Sequence, residues 1–432
     1  MQNPVTKLTL SNGLTVLLKE SHNAPLISQW IWYRVGSRDE IPGITGISHW
    51  VEHMQFKGTR HFPQGHLDRA ISRDGGIWNA FTFLDWTTYF ETMPANKIEL
   101  AMELEADRMI NSLFLEEEVE SERTVIISER QGNENEPLFR LAEQIQATAF
   151  QAHAYHHEVI GDLVDLRQIY RDDLYKHYRT YYIPNNAVLA IAGDFETERM
   201  IKTLRRYYES IQKGKNPSRH FRPEPPQDSE RKIIVEGPGN TTYLQIAFHV
   251  PEATHPDFFP LLVLDSLLAG PSNPNMFGGG ISNKTSRLYL ALVETELVIS
   301  LQSVLLATID PFLQVITTIL HPESSVEKVL GAIEEEISRL QKTSPEKDEL
   351  LRAVKQSRAL FAYGGERITN QAFRLGYSEM LSTCDWFNSF QNKLAAVTPE
   401  DVQRVANTYL RNQNRVVGVY IPNTNENYST SI

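Results

Sequence analysis

Five consecutive residues, His49-Trp50-Val51-Glu52-His53, carry side chains suited to metal chemistry. On a helix, positions i, i+3 and i+4 share one face, so both imidazoles can bind one zinc ion. Glu52 then stands beside the metal, where its carboxylate can accept a proton from zinc-bound water. In a chain of 432 residues with 13 His, this pattern would occur by chance in roughly a few of every hundred cases. Whether the motif is a metal site therefore depends on further ligands elsewhere in the chain.

A third protein ligand is required, because two histidines leave zinc in need of one more and a water molecule. The chain has one cysteine, which excludes a thiolate cluster. Glutamates are dense from residue 116 to 136, and those at 116–120 are typical of a solvated helix face. Glu122 and Glu129 lie seven residues apart on one face of a partly apolar stretch, where a buried carboxylate needs a cation or a metal as partner.

Composition describes an ordinary globular protein whose length exceeds a single hydrophobic core. Hydrophobic residues make up 41% and charged residues 22%, as in typical folded proteins. The formal net charge is −12. Without a basic excess to neutralise phosphates, nucleic acid is not an expected partner, whereas basic peptides are compatible with this charge.

The expected compartment is cytoplasmic. No apolar run reaches the roughly 18 residues that span a membrane, so no membrane partner is expected. The first residues lack the basic and apolar segments of a secretory signal. A lone cysteine, Cys384, cannot form an internal disulfide and fits a reducing compartment. An organelle matrix is the alternative if a transit peptide has been removed.

The two halves of the chain are related by duplication. Residues 171–191 and 399–419 align without a gap at an offset of 399 − 171 = 228, and both read as an amphipathic helix, a polar turn and an apolar strand. Tyr181 matches Tyr409, and Asn186 matches Asn414. The segments 29–33 and 245–249 also read as matching strands. An internal repeat of this kind sets the architecture.

This pattern predicts two α+β domains, each a mostly antiparallel sheet covered by helices on one side. We place the first domain at 1–211, with the metal motif, and the second at 232–432, without it. Residues 212–231, with four prolines among polar residues, read as the linker. In the second half, the positions of His49, Glu52 and His53 are expected to hold Leu261, Leu264 and Asp265.

His49-x-x-Glu52-His53-x-x-Phe56-x-Gly58-Thr59, followed by Glu129, resembles the pitrilysin (M16) zinc metallopeptidase family. Its H-x-x-E-H order is the inverse of the commoner H-E-x-x-H motif. The size and duplication resemble the M16B group, which includes the β subunit of the mitochondrial processing peptidase and bacterial relatives. The resemblance continues through Gly75–Thr82, Tyr155–Gly161 and Pro184–Gly193, and is looser in the second half.

The resemblance implies two M16-type domains and one zinc ion per chain, bound by His49, His53 and Glu129. It assigns Glu122 a supporting part in catalysis and Glu52 the role of general base toward zinc-bound water. A cleft strand would offer backbone groups to an extended peptide, which is β-augmentation. The residues assigned to substrate binding are Asn79, Ala80 and Phe81. An ordinary sheet edge is the alternative for this strand.

The second half departs from the family pattern. Relatives that work alone carry an Arg and a Tyr seven residues apart after a Ser-Arg-Leu segment. Here Val293 takes the position of the Arg, and Arg287 and Tyr289 have the wrong spacing. We therefore expect a heterodimer whose second M16-like subunit supplies the pair, with a homodimer as the alternative.

Two further segments have a structural and a functional interpretation. The glycine-rich segment Gly270–Gly280 reads as a flexible connection or, by resemblance, as a substrate-gating loop. The histidines at 153, 156 and 157 read as part of a polar loop rather than as ligands.

The favoured function is a zinc-dependent endopeptidase that cleaves peptides or unfolded segments inside a closed chamber. One alternative is a non-catalytic structural subunit, like the core proteins of the bc1 complex, which resemble the same family. Another is a peptide-binding module without turnover, in which Glu52 would have no role. The intact set of His49, Glu52, His53 and Glu129 favours the enzyme.

Overall fold

The computed structural model describes residues 4–219, 222–272 and 283–423. Its strands are β1 (Thr6–Thr9), β2 (Thr15–Glu20), β3 (Leu26–Tyr33), β4 (Ile77–Thr82), β5 (Thr87–Pro94), β6 (Ala187–Gly193), β7 (Arg231–Gly237), β8 (Tyr243–Val250), β9 (Val298–Leu305), β10 (Phe312–Leu320) and β11 (Arg415–Pro422). Its α-helices are α1 (Ile47–Met54), α2 (His66–Arg73), α3 (Ile98–Asn111), α4 (Glu116–Glu134), α5 (Pro137–Ala149), α6 (Leu163–Leu166), α7 (Arg171–Tyr181), α8 (Thr197–Tyr208), α9 (Phe258–Ala269), α10 (Val326–Lys342), α11 (Lys347–Tyr363), α12 (Ile368–Leu381), α13 (Asp385–Ala395) and α14 (Pro399–Tyr409). None of the helices in these ranges is long and apolar enough to cross a membrane.

The chain packs into two compact units that exchange segments between the sequence halves. Unit 1 comprises Met1–Arg130, His157–Arg222 and Gly365–Asn388. Unit 2 comprises Gln131–His156, Pro223–Gly364 and Ser389–Ile432. Helix α12 thus belongs to unit 1 and helix α5 to unit 2. The domain boundaries at 211 and 232 stay a prediction, because packing units need not coincide with the repeated halves of a sequence.

The sheet of unit 1 has the strand order β1-β2-β6-β3-β5-β4, and only the β2–β6 pair is parallel. Side chains of the central strand β3 alternate between its two faces. On one face Trp30 packs against Phe373 of α12, with ring centroids 5.1 Å apart. On the other, the Gln29 amide donates to the carbonyl of Ala101 in α3. The prediction of helices on one side was therefore wrong for this sheet, because a helix from the other sequence half covers its second face.

The sheet of unit 2 has the order β7-β11-β8-β10-β9, and only the β7–β11 pair is parallel. The predicted α+β class with mostly antiparallel sheets is therefore confirmed. Helix α5 packs against β7, β11 and β8. A Cβ at Gly418 of β11 would lie 2.7 Å from the Ile145 side chain of α5, so glycine here lets helix and sheet approach closely without displacing that side chain.

The structure shows the predicted duplication residue by residue. Helices α7 and α14 begin and end at positions that differ by 228, as do the starts of β6 and β11. The Asn186 amide donates to the carbonyl of Tyr181 at 2.9 Å, and the Asn414 amide donates to that of Tyr409 at 2.8 Å. Each asparagine thus adds a side-chain donor to a carbonyl at the end of its helix, which also accepts the backbone N–H of the residue two positions further on.

Helix α9 is the counterpart of α1 in unit 2. The alignment of the two helices differs by one residue from the predicted alignment. In the turn before α1, the N–H of Ile44 donates a hydrogen bond to the carbonyl of Ile41. In the turn before α9, the N–H of His255 donates in the same way to the carbonyl of Glu252, at an offset of 255 − 44 = 211. At this offset the positions of the motif residues hold Pro260, Val263 and Leu264. The predicted equivalents Leu261, Leu264 and Asp265 were wrong because the turn before the helix, not its apolar pattern, sets the register.

A buried charge cluster lies between the sheet of unit 1 and α3. The Arg108 guanidinium donates to the carboxylate of Glu105 and lies 3.4 Å from Glu91, and the side chains of both glutamates are fully buried. Burial, together with the charge of Glu105, raises the pKa of Glu91 well above its ordinary value. One guanidinium thus balances Glu105 while Glu91 stays protonated.

Replacing Glu91 with Gln should flatten the dependence of stability on pH. The folded chain keeps a proton on Glu91 that the unfolded chain releases above its pKa of about 4.5, so this group lowers the unfolding free energy as pH rises. The slope for one proton is at most about 1.4 kcal/mol per pH unit. Urea unfolding of the metal-free chain, from about pH 5 to about pH 8, measures the difference.

The exposed Glu103 of α3 provides the matched control, since Glu103→Gln should keep the wild-type slope. A Glu91→Gln variant that loses the same stability at every pH would contradict a protonated Glu91.

Candidate metal centre

Helix α1 presents the three motif side chains over little more than one turn. The residue before the helix is Gly46, whose φ of +84° lies in the left-handed region that favours glycine. The Nε2 atoms of His49 and His53 face each other at 3.2 Å. Burial, and then the neighbouring His53, lower the pKa of His49 to about 3, so its ring stays neutral, as a metal ligand must be.

Glu129 approaches from α4 and completes a group of three donors. Its carboxylate oxygens lie 4.0 Å from His49 Nε2 and 3.7 Å from His53 Nε2. The three donor atoms are within 4.8 Å of one another, and the described residues contain no other such group. Two imidazoles and one carboxylate form the donor set of catalytic zinc sites, which leave the fourth position open. The residues therefore fit the ion.

Glu122 contacts the opposite side of His53. Its Oε1 accepts a hydrogen bond from His53 Nδ1 at 2.8 Å, which leaves Nε2 of the ring for a metal. Lys57 forms an ion pair with the other carboxylate oxygen of Glu122. Glu122 therefore orients a ligand and is not itself in the donor group, although it lies two turns before Glu129 on the same helix.

Glu52 lies next to the donors but points toward β4. Its Oε2 accepts a hydrogen bond from the Thr82 hydroxyl at 2.6 Å. In the metal-free chain, burial raises the pKa of Glu52 to about 7, while the Thr82 bond acts in the opposite direction. A cation at the neighbouring donors would favour the ionised form. This carboxylate can accept and release a proton near neutral pH.

The strand with the predicted substrate-binding residues is β4, at the end of the sheet. It pairs with β5 alone among the strands that the structure describes, so its outer edge faces no other strand. Asn79 is exposed, Phe81 half-buried and Ala80 buried. The Ala80 N–H donates to the Asn79 side-chain oxygen at 2.9 Å. Asn79 therefore occupies a backbone donor that a peptide strand could otherwise use.

Other residues considered in the sequence analysis form hydrogen bonds with residues outside the metal centre. Arg287 forms two hydrogen bonds of 2.7 Å with Glu349, consistent with its exclusion as a substrate contact. His153 and His157 lie in an irregular segment, where both are buried and hydrogen-bonded, to Asp310 and Glu40 respectively, and neither belongs to the donor group. The Gly270–Gly280 segment lies outside the described residues from 273 onward.

Sequence reasoning missed two side chains next to the motif. Lys57 follows His53 by four residues, a spacing that could have indicated a shared face. Thr82 ends an otherwise apolar strand, but nothing in the sequence pairs it with Glu52. That contact depends on the packing of α1 against β4.

Two family descriptions match the chain and together cover more than half of it. Residues 15–163 match "Insulinase (Peptidase family M16)", and residues 168–357 match "Peptidase M16 inactive domain". The chain therefore belongs to the M16 peptidase family, and several of its relatives are named zinc proteases.

Among these relatives is the zinc protease PqqE of Helicobacter pylori, 32% identical over 266 residues. That match covers 60% of this chain and 60% of PqqE, less than two thirds of its length. The β subunit of the mitochondrial-processing peptidase of Lentinula edodes is 27% identical over 417 residues, 94% of this chain and 88% of that protein. The crystal structure of a protease from Helicobacter pylori superposes with a TM-score of 0.90 at 26% identity, covering 98% of this chain and 100% of that one.

Replacing Glu122 with Gln should weaken zinc binding about tenfold or more, because a neutral amide orients His53 less well and leaves Lys57 uncompensated. Competition with a zinc chelator measures the affinity. Glu117→Gln changes an exposed glutamate of the same helix and should leave the affinity unchanged. Equal affinities of the two variants would show that Glu122 does not support the site.

Proposed function

We propose that this chain is a zinc-dependent endopeptidase that binds one zinc ion through His49, His53 and Glu129. The observation that carries the proposal is the position of Glu52. This carboxylate is buried beside the three donors, is oriented by Thr82 and does not belong to the donor group. A site that only bound a metal would have no use for such a group, whereas hydrolysis needs a proton acceptor.

Each residue of the proposed site has a distinct role in hydrolysis. When bound, zinc would act as a Lewis acid and lower the pKa of a coordinated water molecule toward about 7. Glu52 accepts the proton of the attacking water and delivers it to the leaving amine. Glu122 keeps the ring of His53 in place, and the Thr82 hydroxyl holds one oxygen of Glu52, so that the other can exchange the proton.

The substrates we propose are peptides or unfolded segments. An extended chain can add to the outer edge of β4, and a substrate carbonyl would then replace the Asn79 side chain at the Ala80 N–H. Because Thr82 of the same strand contacts Glu52, a peptide on this edge would pass the general base. In a folded protein most backbone groups are already hydrogen-bonded, so an unfolded segment is the better partner for this edge.

The alternative is a non-catalytic structural subunit. The match of residues 168–357 to an "inactive domain" description gives that alternative some support, but it falls largely on the half without the motif. In the half with the motif, all four residues of the proposed chemistry lie together. A peptide-binding module would need neither the donor group nor Glu52, so we favour the enzyme.

We further propose that a second M16-like subunit contributes to the active site, with a homodimer as the alternative. Val293 replaces the expected Arg, and the nearby Arg287 is engaged by Glu349. The β subunit of Lentinula edodes is, by its name, one subunit of a peptidase. The first domain (1–211) would carry the chemistry and the second (232–432) would shape the cleft, in a reducing, cytoplasmic compartment.

Replacing Glu52 with Gln should abolish cleavage and preserve zinc. Loss of a general base lowers kcat by about 10²- to 10⁴-fold, while the donors stay intact. Elemental analysis gives the zinc content, and hydrolysis of a mixture of fluorogenic peptides gives the rate. Loss of zinc from this variant would make Glu52 a ligand and refute its role as base, and Glu117→Gln controls for the change of charge.

The purified chain alone should cleave the peptide mixture slowly. Without an Arg/Tyr pair it lacks groups that the family uses to contact substrate, so addition of an M16-like subunit that carries the pair should raise the rate. The rate of the chain alone, together with its mass in solution, provides the test. Full activity as a monomer would refute the two-subunit proposal.

A further inference from the structure

The start of helix α1 is fixed by a buried pair of side chains that lies outside the metal centre. The carboxylate of Glu40 accepts the backbone N–H of Gly46 at 2.7 Å and that of Ser48 at 2.8 Å. His157 Nε2 lies 2.9 Å from the same carboxylate. The side chains of Glu40 and His157 are 0% and 4% exposed, so water does not compete for these bonds.

These contacts act on the residues directly before the first metal ligand. Ser48 precedes His49, and α1 has only eight residues. A helix this short is not stable by itself, so its position depends on the contacts at its ends. A negative charge at a helix N-terminus also compensates the unpaired N–H groups there.

The duplication supplies an internal comparison. The connection from β8 to α9, residues 251–257, is shorter than the connection from β3 to α1, residues 34–46, and Glu40 lies in the longer one, with no counterpart in unit 2. The N–H of Asp257, which corresponds to Gly46, donates to the neighbouring His255 side chain at 3.1 Å. Helix α9 therefore forms without a buried Glu–His pair. The repeated fold does not require the pair, and the half that carries the metal ligands has it.

We propose that Glu40 and His157 are positioning residues of the catalytic site, which set the start of α1 and thereby the placement of His49, Glu52 and His53. This proposal rests on the proposed peptidase function for its kinetic consequence, but not for its effect on metal binding. Neither residue touches the donors. His157 acts through Glu40, and Glu40 acts through the backbone of α1.

The variant Glu40→Gln tests the proposal, because the amide has the same shape but offers one acceptor oxygen instead of two. Zinc affinity, measured by chelator competition, should fall about tenfold or more, and kcat should fall by a similar factor. KM should stay within about twofold, because the edge of β4 is unchanged.

Glu20→Gln is the matched control. Glu20 accepts the Thr197 backbone N–H at 2.9 Å at the start of α8 and is paired with His22, so it makes the same type of contact at a helix without metal ligands. The zinc affinity and kcat of the Glu20→Gln variant should equal those of the wild type. If Glu40→Gln matches this control in both quantities, the pair is only structural and the proposal is wrong.

Variants of His157 separate positioning from loss of folding. His157→Gln keeps a donor for Glu40 and should retain most of the zinc affinity, whereas His157→Leu leaves a buried carboxylate without this donor and should lose it. Equal zinc affinities of these two variants in folded protein would refute the role of His157. If the wild type binds zinc but cleaves no peptide, the proposed function fails, while the zinc affinities still decide the positioning.

Discussion

The hydrogen bond between His53 and Glu122 is the contact on which the metal centre depends. It occupies Nδ1 of the ring and so directs Nε2 toward His49 and Glu129. Helix α4 runs about 10 Å from Glu122 to Glu129, two turns further on, so one helix contacts His53 on both sides. The seven-residue spacing is therefore a geometric requirement of the proposed centre, in which the first carboxylate orients His53 and the second would bind the same metal.

The second requirement is that α1 lies in a defined place between α4 and β4. Thr82 at the end of β4 orients Glu52, and the outer edge of the same strand is the one we propose for a peptide. The proposed general base and the proposed substrate strand thus belong to one sheet-and-helix arrangement. A small displacement of α1 would disturb the metal donors and the base together, because they project from consecutive turns of the same short helix.

Comparison of the two repeated units distinguishes contacts that the fold requires from contacts that only the proposed metal centre requires. Asn186 and Asn414 form the same bond at the ends of α7 and α14, so that contact belongs to the fold. Helix α9, in contrast, has apolar residues at the motif positions, and the buried Asp265 accepts a hydrogen bond from Gln314 at 2.7 Å. Unit 2 thus has the same framework, and the positions that correspond to the motif residues are part of its core.

By itself, the sequence determined the local features: the spacing of His49, Glu52 and His53, the face shared by Glu122 and Glu129, and the repeat that predicts two similar sheets. These follow from helix and strand periodicity, which acts over a few residues. Only the tertiary structure decided which atoms meet across long separations. The pairing of Thr82 with Glu52, of Lys57 with Glu122 and of α12 with the sheet of unit 1 depends on how elements pack, and neither spacing nor composition encodes that packing in readable form.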